Sequence, residues 1–171
     1  MLIYPGYTFD GQNGDLIING VIPSDNDYAI DCTGNSTPFY FGLQNEGNIK
    51  NINSITADTI INLGKIEANK ITLTKKGNDA YFMNTGEFGT EAEVVLNGGV
   101  EVDPSGWVNN TNGAVMTLNG KDAVIGAELA NDYGATLNIN ENTTIDGALW
   151  NVEGAILNIA DGVTVTATKG F

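Results

Sequence analysis

The chain contains no histidine and no arginine, and its seven basic residues are all lysines: Lys50, Lys65, Lys70, Lys75, Lys76, Lys121 and Lys169. Without histidine the commonest general base and metal ligand is missing. Without arginine there is no planar fork for phosphate or base recognition. Twenty-one acids face the seven lysines, giving a net charge of -14 and a pI near 4.1. Such a surface repels nucleic acid, so none is expected as a partner. Cys32 is the only cysteine, so no internal disulfide can form. No apolar run approaches the roughly 20 residues of a membrane span, and no membrane insertion by this segment is expected. The start, MLIYPGYTFDGQ, has no charged leader region followed by a long apolar stretch. Export is therefore expected only if the chain is part of a larger protein.

What is present is repetition. Leu129–Ala148, LANDYGATLNINENTTIDGA, lies over Leu149–Thr168, LWNVEGAILNIADGVTVTAT, without a gap. Leu, Asn, Gly, Ala and Ile recur at matched places. A fixed period near twenty residues marks a repeat architecture. Followed backwards, an apolar residue beside a polar one recurs at Ile52, Leu73, Leu96, Leu118, Leu137 and Leu157. A second column places an Asn shortly before a Gly at Asn45, Asn62, Asn84, Asn110, Asn131 and Asn151. Asn and Gly tolerate positive φ, so this column is read as turns. Between turns the segments are short, alternating and rich in β-branched residues, which is a strand pattern.

Short strands, turns and a twenty-residue step predict an all-β fold: a right-handed parallel β-helix of about six to seven coils with a period of about 20–22 residues. Residues 1–42, with three of the four prolines, are expected to hold an N-terminal cap and the first coil, and residues 43–171 the remaining coils. The expected core ladder is Ile52, Leu73, Leu96, Leu118, Leu137 and Leu157, with a second apolar column through Ile125, Ile145 and Val165. Beside it, Asn97, Asn119, Asn138 and Asn158 are expected to stack as an asparagine ladder, since stacked amides bond to one another along a cross-β axis.

At this point the run GATLNINENTTIDGALWNVEGAILNIADGVTVTA resembles the passenger region of bacterial autotransporters and related filamentous-haemagglutinin-like adhesins. The resemblance covers roughly residues 43–168. It implies a rigid, exported stalk at the bacterial cell surface that contacts a host or bacterial surface protein or glycan. It also implies no cofactor and no catalysis.

The candidate contact residues are Phe88, Trp107 and Trp150. The interval from Asn84 to Asn110 is the longest in the Asn column, and extra length on one coil is where solenoids display loops. Glu101, Asp103 and Asp122 could converge from adjacent coils, as hydrolysis of a polysaccharide would require. They could equally form a solvated acidic face. Asp25, Asp27 and Asp31 alternate without a complete calcium loop, so no metal site is expected. Two alternatives stay open: a fibre subunit that associates end to end, and a polysaccharide-binding or -cleaving β-helix such as a phage tailspike piece.

Overall fold

The computed structural model describes residues 1–18, 42–86 and 91–171. It is a parallel β-helix of seven coils. The only helical segment among these residues is a single 3-10 turn, Gly77–Asp79. Each coil opens with a strand on a first face: β1 (Leu2–Ile3), β3 (Leu43–Asn45), β5 (Ile60–Asn62), β7 (Tyr81–Thr85), β10 (Trp107–Thr111), β13 (Glu128–Asn131) and β16 (Leu149–Asn151). These seven pair in parallel, each with the strand one coil on. The rest of each coil forms a second sheet. In the first three coils it is one long strand: β2 (Thr8–Ile17), β4 (Asn48–Ala57) and β6 (Lys65–Leu73).

Above β6 this sheet forks. The first half of β6 pairs with β8 (Glu93–Leu96), and the second half pairs with β9 (Val100–Glu101). One branch continues through β11 (Val115–Leu118), β14 (Thr136–Ile139) and β17 (Ile156–Ile159). The other continues through β12 (Ala123–Ile125), β15 (Thr143–Ile145) and β18 (Val165–Ala167). The upper coils therefore have three faces. The lower coils make the same bend within a strand: β4 is interrupted between Ile49 and Ile52, where Asn51 takes φ 54°. An extra residue at such a bulge bends the strand without ending it.

Alternation decides what fills the interior. In β8, β11 and β14 the second and fourth residues are buried and the first and third are half-exposed, as a period of two requires. Stacked coils turn this into columns. On the first face Leu43, Ile60, Phe82, Val108, Leu129 and Leu149 are aligned. On the second, Ile49, Ile66, Val94, Met116, Leu137 and Leu157 are aligned. On the third, Ile55, Ile71, Val100, Ile125, Ile145 and Ala167 are aligned. All of these are buried except Leu157 and Ala167 in the seventh coil.

The expected core ladder is corrected by this register. Ile52, Leu96 and Leu118 do share a column, through Ala68, but it continues into Ile139 and Ile159. Leu137 and Leu157 belong to the Met116 column. Leu73 pairs with Ala57 in the far half of the long strands. Ile145 lies against Ala167, and Val165 lies against Thr143. Every slip is by two residues or moves to another inward position, so each misplaced residue still faces inward. Alternation cannot see such a slip; only a one-residue shift would reverse the faces.

Residues 1–17 form the first coil, with β1 on β3 and β2 on β4. The expected N-terminal cap falls largely on residues outside those described, as do Cys32, Asp25, Asp27, Asp31 and Phe88.

Candidate functional site

Among the described residues, most of the buried polar side chains belong to the column read from sequence as turns. Asn45, Asn62, Asn84, Asn110, Asn131 and Asn151 are in unbroken register. None of them has a positive φ. They are inward-facing strand residues, and the first five are fully buried. Each side-chain amide donates to the Oδ1 of the next coil: 2.7 Å from Asn45 to Asn62, 2.8 Å to Asn84, 2.8 Å to Asn110, 2.8 Å to Asn131 and 2.7 Å to Asn151. The second amide hydrogen is also used. Asn84 Nδ2 reaches the Val115 carbonyl at 2.9 Å, Asn110 reaches Thr136 at 2.9 Å and Asn131 reaches Ile156 at 2.9 Å. A buried amide is tolerated because its donors and acceptor are filled. The turns lie two or three residues later, at Asn112–Gly113, Tyr133–Gly134 and Glu153–Gly154, where both residues of each pair have positive φ.

The expected asparagine ladder divides between two outward columns. Asn97 and Asn119 stand at the corner after β8 and β11, in line with Asn69 and Asn140. Asn140 donates to Asn119 at 2.8 Å, and Asn97 reaches Asn69 at 3.4 Å. Asn138 and Asn158 lie one column inside the strand, joined at 2.9 Å, with Asn138 donating to Thr117 at 3.2 Å.

The candidate aromatic residues fall on the outward side of the first face. Trp107 stacks on Tyr81, with ring centroids 5.0 Å apart and planes 15° from parallel. That separation is close to the rung spacing, since the two residues are paired across β7 and β10. The adjoining outward column runs Gln44, Ile61, Met83, Asn109, Ala130 and Trp150. Trp150 is 47% exposed, and Ile61, Met83 and Trp107 are partly exposed. Ile61, Met83, Tyr81 and Trp107 lie together on this face, and Asn109 and Ala130 separate them from Trp150. Sequence reasoning found the two tryptophans but missed Tyr81, Ile61 and Met83. Their signal was their spacing from the ladder: one or three residues before each ladder asparagine.

The three candidate acids do not converge. Glu101 is bonded to Lys70 at 2.6 Å. That hydrogen bond and the lysine's charge hold its carboxyl below the ordinary range. Asp122, at a positive-φ turn, lines the same open cleft of about 400 Å³ with Lys70 and Lys121. Asp103 instead closes its own loop, accepting the Ser105 amide at 3.0 Å on its side chain. No group of three or more acids, histidines or cysteines is placed to hold a metal among the described residues. Two acids overlooked in the sequence are structural. Asp10 accepts from the Gln12 amide and Asn51 and pairs with Lys50. Asp15 accepts from Ser54 and Asn53. Both fasten the first coil to the second, and both carboxyls are held below their usual range, chiefly by the Gln12 amide for Asp10 and by the Ser54 hydroxyl for Asp15.

Comparison with family models, curated proteins and solved structures gave no match.

Proposed function

We propose that the protein is a rigid, non-catalytic adhesive module of a bacterial cell surface, as the resemblance to autotransporter passengers implies. The observation that carries this reading is the outward apolar patch of Tyr81, Trp107, Ile61 and Met83, with Trp150 two coils beyond Trp107 on the same face. Contiguous exposed apolar surface on a soluble protein marks a contact site. Tryptophan and tyrosine supply large contact area at low entropic cost. The ladder and the three apolar columns would hold that patch at fixed spacing, the arrangement suited to reading a repetitive surface glycan or protein.

The test is attachment of fluorescently labelled protein to bacterial and host cells. Trp107→Ala and Trp150→Ala should each lower attachment about tenfold or more, as loss of a hot-spot aromatic does, with the β-sheet circular dichroism retained. Equal attachment by the wild type and both variants would overturn the reading. Release of reducing ends from an acidic polysaccharide would favour the enzyme class instead.

A further inference from the structure

Charge is spread unevenly over the three faces. The seven strands of the first face carry no lysine, and Glu128 is the single charged residue among them. It is exposed, and no ion pair engages it among the described residues. Both tryptophans of the chain stand beside it. Trp107 is paired with Glu128 directly. Trp150 is paired with Ala130, which lies two residues along from Glu128 on the same strand.

Trp107 uses one ring face on Tyr81, at a centroid separation of 5.0 Å that is close to the rung spacing. The stack therefore runs along the helix axis, and the opposite face of the indole is turned toward the rung of Glu128. On that rung Ala130 is the neighbouring outward residue. Its small side chain leaves open the diagonal between Trp107 and Trp150. Asn109, paired with Ala130, closes the remaining corner. Its Oδ1 is shielded from solvent and has no hydrogen-bond partner, an acceptor the fold leaves unfilled.

An indole face beside a carboxylate, on a face without competing lysines, suits a cation carried on an apolar stem. We propose that this part of the first face captures a lysine side chain of a partner protein. The ammonium sits over the free face of Trp107 and donates to the Glu128 carboxylate. The methylene stem lies on Ala130 against Trp150, and a turn of the Asn109 amide offers the ammonium a second acceptor. A lysine as the ligand rests on the adhesive reading for its source, and it narrows the partner to a protein with exposed lysines. The net charge of -14 draws such a surface in at long range and repels an acidic glycan.

Because the chain has only these two tryptophans, both indole N–H signals report on the site. The experiment is an NMR titration of the isotope-labelled intact protein with Nα-acetyl-lysine amide, and in parallel with Nα-acetyl-norleucine amide, an uncharged probe of similar shape. The lysine probe should shift both indole signals saturably, and the norleucine probe should bind about fivefold or more weakly. Glu128→Gln and Trp107→Leu should each weaken the lysine probe by a similar factor. Glu141→Gln, which removes the same charge from an exposed bend elsewhere, should not. An absent or unsaturable shift would overturn the proposal. So would an equal response to the two probes, which would assign the site to apolar contact, or an equal loss in Glu141→Gln, which would assign it to bulk charge.

Cell attachment separates the lysine from the adhesive reading beneath it. Attachment that depends on Trp107 but survives acetylation of the target's surface amines would overturn the lysine and leave the adhesive module standing. Lysine binding in the titration, with attachment unchanged in Trp107→Ala, would keep the lysine site and overturn the adhesive module.

Discussion

A single asparagine in the middle of the ladder serves both neighbouring coils. Asn84 Oδ1 accepts from Asn62, and its amide donates to Asn110 Oδ1 and to the Val115 carbonyl. Truncating it leaves the buried Asn110 Oδ1 without its donor and removes one bond each from the Val115 carbonyl and from the Asn62 amide, which keeps the Gly64 and Glu93 carbonyls. Each unsatisfied buried group costs about 1–3 kcal/mol, although small relaxations recover part of the sum. Asn84→Ala should therefore destabilise by about 2–4 kcal/mol in urea titration. Asn151→Ala, at the exposed end, should cost less than about 1 kcal/mol. If the two variants unfold at similar urea concentrations, the ladder does not hold the coils together. Asn84→Leu adds a useful comparison. It removes the polar group but leaves the Asn110 acceptor orphaned, so it should not restore stability.

Elements are joined at corners, and there glycine acts in two ways. At Gly113 φ is +75° and the space for a Cβ is open, so an alanine pays only for the left-handed backbone. At Gly64 the backbone is ordinary, but a Cβ would sit 2.1 Å from the Gly47 carbonyl oxygen of the coil below. Gly113→Ala should cost about 1 kcal/mol, the usual penalty for alanine in that region. Gly64→Ala should cost clearly more, about 2–4 kcal/mol, because two main chains must separate against a packed core. Thermal melts of the two variants check the order; a larger loss at Gly113 would contradict the close stacking at the first corner.

The same corners explain what was legible. The parallel β-helix and the number of coils could be read because strand alternation and the twenty-residue step survive small length changes. The six asparagines before glycines were found as a column, and this column is the true register key. Two residues before each lies the inward residue: Leu43, Ile60, Phe82, Val108, Leu129 and Leu149. Their role was missed because asparagine is common in turns and a glycine follows close behind. The Leu-Asn alignment failed for a different reason. It set Leu118 and Asn119 over Leu137 and Asn138 across turns of unequal length, where Leu118 in fact aligns with Ile139 and Thr117 with Asn138. The acid cluster was illegible because strand parity says which residues share a face, but not that Asp103 has left the strand for its own loop.

For the molecule as a whole, charge is the dominant unbalanced term. Only three ion pairs are formed among the described residues, Lys50–Asp10, Lys65–Glu93 and Lys70–Glu101, and all are solvent-exposed. Pairs of this kind contribute about 0–1 kcal/mol each. Against them stands a net charge of -14, whose self-repulsion opposes the folded state. Salt screens both, but there is far more repulsion to relieve. Tm at neutral pH should therefore rise with added sodium chloride.

Acid has two opposing effects. Protonation reduces the overall repulsion, yet Glu101, Asp10 and Asp15 have carboxyls lowered in the folded state. A lowered folded value means stability that is present above the unfolded pKa and lost as pH falls through the folded one. Their unfolded values are about 4, so that loss belongs below about pH 4, where β2 comes away from β4 and Lys70 loses its partner. Tm should rise on mild acidification from neutrality and then turn down below about pH 4. Calorimetry across salt and pH reads both limbs. A Tm that falls with salt at neutral pH would mean the exposed pairs outweigh the repulsion, and the charge balance would have to be reassigned to them.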